Sequence, residues 1–199
     1  MHQVSQIGKQ GSEDLATARV FFALWPDDAV REQFTQWAKL LHETCRGTIT
    51  QSRNLHITLV FLGNVALTRL GELKLLASKL AGSAFSLHFK APSYWRHNHI
   101  AWAAPDQTPQ ALIDLVKALE CSLRSAAFGF DERPYEPHLT LLRKARWDPP
   151  RRVPKEINWE IREFVLVHSN LAESGSEYEV IGRWPLSSTV SSTQQLQRR

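Results

Sequence analysis

The chain has 199 residues, 43% of them hydrophobic and 22% charged, with a formal net charge of +4. It is long enough to bury one sizeable core and contains no run of the roughly 18 to 20 apolar residues that a membrane-spanning helix needs. Its overall charge is too small to mark a nucleic-acid binder by itself.

In chain order, Arg19 to Trp25 is an apolar run closed by Pro26, which predicts a buried strand. Asp27 and Asp28 offer N-caps to a helix over 28–45, whose apolar positions Val30, Phe34, Trp37, Leu40 and Leu41 recur at spacings of three and four. A strand follows over Leu55 to Leu62, stopped at Gly63-Asn64, then a helix carrying Leu70, Leu73, Leu76, Ala77 and Leu80. Strands over Phe85 to Ala91 and His99 to Ala103 come next, with a turn at His97-Asn98, and Thr108-Pro109 opens a third helix through Leu123. The last elements are a strand at Leu139, a Pro/Arg-rich loop over 146–156, and strands over Glu160 to Ser169 and Glu177 to Trp184 around a Ser174-Gly175-Ser176 turn. Residues 1–17 and 187–199 are polar and read as disordered tails on a single domain over 19–186. Cys45 and Cys121 both fall in helical segments and give no disulfide framework. The first 18 residues lack the apolar core of a secretory signal, so we expect a reducing cytoplasm. No exposed apolar stripe stands out, and we expect a monomer.

One phrase occurs twice. His56-Ile57-Thr58-Leu59 and His138-Leu139-Thr140-Leu141 both read His, apolar, Thr, apolar, and the histidines are 82 residues apart (138 less 56). On a strand, residues i and i+2 share a face, so each histidine stands beside its threonine. Each phrase follows a strand and a helix, an element order written twice. The order predicts an α+β fold of two pseudo-symmetric lobes, with two antiparallel sheets facing a central cleft and helices packed outside.

The pairing of HITLVFLG with HLTLLRKA, the RVFFALWP opening and the closing Arg183-Trp184 resemble the two-histidine (2H) phosphoesterase superfamily. Within it the chain is similar to the RNA 2′,3′-cyclic phosphodiesterases, also called the 2′-5′ RNA ligase family. The resemblance covers about residues 19 to 186. It implies hydrolysis of 2′,3′-cyclic phosphate ends of RNA or nucleotides to 2′-phosphomonoesters, without metal or cofactor, and with ligation as the reverse reaction. His56 would be the general acid toward O3′ and His138 the general base for water.

This chemistry agrees with first principles. An imidazole with an ordinary pKa near ~6.5 serves as acid or base at neutral pH, and Thr58 and Thr140 hydroxyls lie on the right faces to receive charge growing on the phosphoryl oxygens. Arg143 lies five residues beyond His138, so plain alternation would turn it to the opposite face. It joins the site only if the strand bulges or ends first. It is the first of a basic run with Lys144, Arg146, Arg151, Arg152 and Lys155, which reads equally as a phosphate patch or a solvated loop. Phe22 and Trp95 are candidates for stacking on a base, with Tyr94 beside them; packing is the alternative for each. Three other functions compete: a metal site, which lacks a third ligand at HExxH or paired-Cys spacing; a non-catalytic RNA- or nucleotide-binding module; and a phosphodiesterase of 2′-5′ oligonucleotides or small cyclic nucleotides.

Overall fold

The computed structural model describes residues 16–148, 152, 154–172 and 175–187. The expected tails lie outside the described residues except for residues 16, 17 and 187, as do Arg151 and Ser174. Strand β1 (Thr17–Leu24) leads into helix α1 (Asp28–Cys45), where the Asp27 side chain accepts a hydrogen bond from the Val30 amide at 2.8 Å and so caps the helix as its position predicts. The chain continues through β2 (Thr48–Ile49), β3 (Ile57–Ala66), α2 (Leu70–Ser78), β4 (Phe85–Phe89), β5 (Pro92–Trp95), β6 (Ile100–Ala103) and α3 (Gln110–Ser125). It closes with β7 (Leu139–Arg143), β8 (Ile157–Ile161), β9 (Glu163–Ala172) and β10 (Gly175–Pro185).

Eight strands form one antiparallel path, β10-β9-β1-β3-β7-β6-β5, with β2 added beside β7. The path divides into two four-stranded halves, because β3 and β7 meet at a single pair, Ile57 with Leu139, both wholly buried. The two expected sheets are therefore two lobes hinged at one residue pair, and the cleft is the opening between them. Helix α1 covers the back of β7, and Phe34 on it packs edge-on to Phe89 of β4, ring centroids 5.0 Å apart. Helix α3 backs β3, and α2 lies against α3 and β10. The helices pack outside, as expected.

Four boundaries differ from the sequence reading. The strand expected to stop at Gly63-Asn64 runs on to Ala66, with Gly63 and Asn64 paired to Val20 and Arg19 of β1. The apolar stretch read as one strand over Glu160 to Ser169 is two: β8 pairs with β4 in a separate two-stranded sheet, and after Arg162 the chain enters the main sheet as β9. Continuous hydrophobicity hides this switch because both segments are buried. Residues Pro92 to Trp95, read as the approach to a turn, pair with β6 as an edge strand, a position that tolerates Pro92. The two-residue β2 has too little pattern to be seen. Gly47, just before it, has φ +85°, and a Cβ there would lie 2.6 Å from the Arg143 carbonyl oxygen. Only glycine lets this segment approach β7 so closely.

Candidate active site

Each His-Thr phrase is followed by the same backbone irregularity. In β3 the pairs Phe22 with Val60 and Ala23 with Thr58 leave Leu59 as an extra residue. In β7 the pairs Ala101 with Leu142 and Trp102 with Thr140 leave Leu141 as the extra one. These are β-bulges at matching positions, one residue after each threonine. The consequence shows in the burial: Leu59 and Val60 are both buried, as are Leu141 and Leu142. The residue three beyond each threonine therefore returns to the cleft face. In one lobe that residue is Phe61, in the other Arg143, and both line the cleft with Thr58, Thr140 and His138. The bulge is what places Arg143 in the site against simple alternation. Of the basic run, Arg143 lines the cleft, whereas Lys144, Arg146, Arg152 and Lys155 do not.

The antiparallel pair Ile57–Leu139 sets His56 opposite Thr140 and Thr58 opposite His138. Each imidazole is tethered alike. His56 Nδ1 donates to the Asn54 carbonyl at 2.7 Å, and His138 Nδ1 donates to the Glu136 carbonyl at 2.8 Å. A carbonyl can only accept, so Nδ1 carries hydrogen in both rings, and Nε2 is left to take or give a proton. The Asn54 side chain donates to the Ser176 carbonyl at 2.7 Å, which pins the loop before His56 to β10.

Around the rings the lobes differ. His56 sits among Phe21 (centroids 4.9 Å apart), Trp25 (5.7 Å, stacked) and Tyr178 (5.2 Å, edge-on). Burial pushes its pKa down to about 4, and the charges of His138 and Arg143 add to the effect, against the opposing pull of the Asn54 carbonyl. His138 meets Trp95 edge-on at 4.6 Å and Trp102 at 6.3 Å. Its pKa is also lowered by burial, with the Glu136 carbonyl and carboxylate acting in the opposite direction. His56 is the more deeply set of the two.

Phe22 is a correction. It is wholly buried and packs on Phe164 and Trp184, so it cannot meet a base. The cleft residue is its neighbour Phe21, on the opposite face of β1. An unbroken apolar run gives no sign of which alternate set faces the core, and the same holds for Trp25 at its end; Tyr178 lies in an alternating segment between Glu177 and Glu179, and its place at the cleft depends on the pairing of β10 with β9. Trp95 does border the cleft. Tyr94 points away from it, donating to the Ala145 carbonyl at 2.9 Å and stacking on Trp147.

Two cavities open from the centre. One, of about 530 Å³, contains both histidines and is bounded by β2, the loop before His56, and Tyr178 on β10. The other, of about 750 Å³, contains His138 and is bounded by the loop before it and by the β5–β6 hairpin with Trp95. Arg19, Thr58, Phe61, Thr140 and Arg143 line both. The Arg19 guanidinium lies 4.9 Å over the Phe61 ring. Among the described residues no group of three or more His, Cys, Asp or Glu side chains is arranged to hold a metal ion.

Two lobes that each present an imidazole and a hydroxyl to a shared cleft define a two-histidine phosphoesterase. Residues 26–173 match the 2′-5′ RNA ligase superfamily, and the chain belongs to it. It is similar to the RNA 2′,3′-cyclic phosphodiesterase of Escherichia coli K12, with 31% identity over 170 residues, covering 84% of this chain and 96% of that one. The apo structure of E. coli LigT superposes with a TM-score of 0.77 at 30% identity, over 86% of this chain and 98% of that one. LigT complexed with 3′-AMP matches with a TM-score of 0.76 at 29% identity, over 86% and 99% of the two chains.

Proposed function

We propose that this protein opens 2′,3′-cyclic phosphates at RNA ends to 2′-phosphomonoesters, with two histidines as acid and base. The observation that carries this reading is the doubled Nδ1 tether, which leaves two Nε2 atoms for one phosphorus. In-line attack needs a base on the side of the water and an acid on the side of the departing oxygen. His138, the more open ring, takes the proton from water. His56, walled by Phe21, Trp25 and Tyr178, gives its proton to O3′. Burial makes His56 hold a proton weakly; the phosphodiester anion supplies the charge that keeps it protonated, and a group so held is a strong acid. Thr58 and Thr140 donate to the equatorial oxygens, and the Arg143 guanidinium neutralises them.

The same atoms run the reverse reaction, in which an alcohol replaces water. Ring strain in the cyclic ester and the excess of water set hydrolysis as the net direction. The protein works as a monomer in a reducing cytoplasm, consistent with the free thiols of Cys45 and Cys121; no helix among the described residues is long and apolar enough to cross a membrane.

The test is incubation with an RNA ending in a 2′,3′-cyclic phosphate, chelator present. The expected result is a 2′-phosphomonoester, formed at a rate that chelator does not change. No phosphomonoester, or turnover that needs added metal, would overturn the reading.

A further inference from the structure

The cleft holds two guanidiniums where one cyclic phosphate calls for one. Arg143 and Arg19 both line it, and among the described residues neither is in an ion pair. The arginines in the loops before the two histidines are already paired, Arg53 with Glu177 at 3.3 Å and Arg133 with Asp131 at 2.9 Å. The cavity that contains both histidines has no carboxylate among its described lining residues to offset Arg19 and Arg143. The two cations stand at different distances from the chemistry. Arg143 ends the strand that carries Thr140. Arg19 is exposed on β1 opposite Asn64, whereas Ala23 is the residue opposite Thr58. Those β1 positions are four residues apart (23 less 19), roughly 13 Å at ~3.3 Å per residue. The Arg19 side chain covers part of that span, since its guanidinium is held over Phe61, whose partner on β1 is Phe21. What remains is on the scale of one nucleotide step from a phosphate held at Thr58.

We propose that Arg19 binds a second phosphate of the substrate, the internal phosphodiester one nucleotide upstream of the cyclic end, and so selects RNA chain ends over free cyclic nucleotides. The inference rests on the two-histidine reading above and deepens it by naming how long a substrate the site measures. O3′ departs toward His56, so the ribose that carries the cyclic phosphate lies in the His56 lobe, where β1 is the strand beside β3. The 5′ oxygen of that ribose leads to the next phosphodiester of an RNA chain, and a free cyclic nucleoside phosphate has no such anion. A guanidinium suits the task because its planar fork grips two phosphate oxygens at once and keeps its charge at every working pH. The Phe61 ring holds that fork at the cleft before substrate arrives.

The test offers the full-length protein three substrates: adenosine 2′,3′-cyclic phosphate, the adenosine dinucleotide ending in the same cyclic phosphate, and that dinucleotide with an uncharged methylphosphonate as its internal linkage. The third keeps both bases and removes only the charge. Each comparison is a ratio within one preparation, so it does not depend on how much protein is folded. The expected result is a kcat/KM for the charged dinucleotide about tenfold above that for the methylphosphonate, carried by KM, the lower end of what a hydrogen bond to a charged group contributes. Added salt shrinks the ratio, because the contact is exposed. Arg19→Gln brings the ratio to within about twofold of one, and Arg19→Lys keeps part of it, since an ammonium retains the charge without the fork. Equal kcat/KM for the charged and uncharged dinucleotides, or a ratio that Arg19→Gln does not move, would overturn the second phosphate site while leaving hydrolysis standing. No turnover of any of the three by the parent protein would instead overturn the two-histidine reading.

Discussion

The lobe that carries His56 and the lobe that carries His138 share a backbone and differ in their surroundings. Strand, bulge, threonine and Nδ1 tether coincide. What differs is the wall: three aromatic rings enclose His56, while His138 faces the larger cavity with Trp95 at its edge. The position three beyond the threonine is Phe61 in one lobe and Arg143 in the other. Duplication thus supplies the symmetric geometry that in-line displacement requires, and the unequal surroundings are the basis for the unequal roles proposed above. In the His56 lobe a cation still arrives, but from β1: Arg19 lies over Phe61.

The comparison breaks first at the histidines. His56→Ala and His138→Ala each lower kcat by about 10² to 10⁴-fold, the range of a general acid or base, and the double variant is little worse than either single one, because the two act as a unit. Steady-state kinetics on a nucleoside 2′,3′-cyclic phosphate measures this; a single variant with unchanged kcat would remove that lobe from the chemistry. Next, Thr58→Val and Thr140→Val each cost about 10²-fold in kcat with a smaller change in KM, the scale of losing one donor to a charged transition state. A smaller effect follows where the lobes diverge. Arg143→Lys raises KM by about tenfold, since an ammonium cannot reproduce the bidentate fork, while Phe61→Leu moves it far less.

The smallest effect lies in stability against pH. His56 is held near a pKa of about 4 in the folded protein, against an ordinary value of ~6.5 in the unfolded chain. Between those values the unfolded state binds more protons, so stability is full above about pH 6.5 and falls as the pH drops toward 4. Urea midpoints across this window are expected to fall for the parent protein and to fall less for His56→Gln. The shift of His138 has the same sign, so its Gln variant flattens the curve in the same direction.

The site's four central residues were legible because the phrase repeats and strand alternation fixes its faces. The first and third helices were legible too, since apolar spacing and the Asp27 cap mark one and Pro109 and the run to Leu123 the other. Alternation fails where the structure departs from regularity. The bulges at Leu59 and Leu141 have no compositional mark, so the arrival of Arg143 in the cleft is a tertiary fact. Apolar runs buried on both faces carry no phase, which is why Phe22 was read in place of Phe21 and why β8 and β9 were read as one strand. Trp95 was legible as a cleft candidate, but its contact with His138 depends on the β5–β6 hairpin, whose edge strand begins with a proline.

The unequal roles of the two lobes are tested most directly by changing the leaving group. In a 3′-deoxynucleoside 2′-(p-nitrophenyl phosphate), which has no neighbouring hydroxyl to attack phosphorus, p-nitrophenolate is the leaving group in place of O3′ and needs no proton. The penalty of His56→Ala is then expected to shrink to about tenfold or less, while that of His138→Ala stays at about 10² to 10⁴-fold. Equal penalties for both variants on this substrate and on the cyclic phosphate would contradict the division of acid from base between the two lobes.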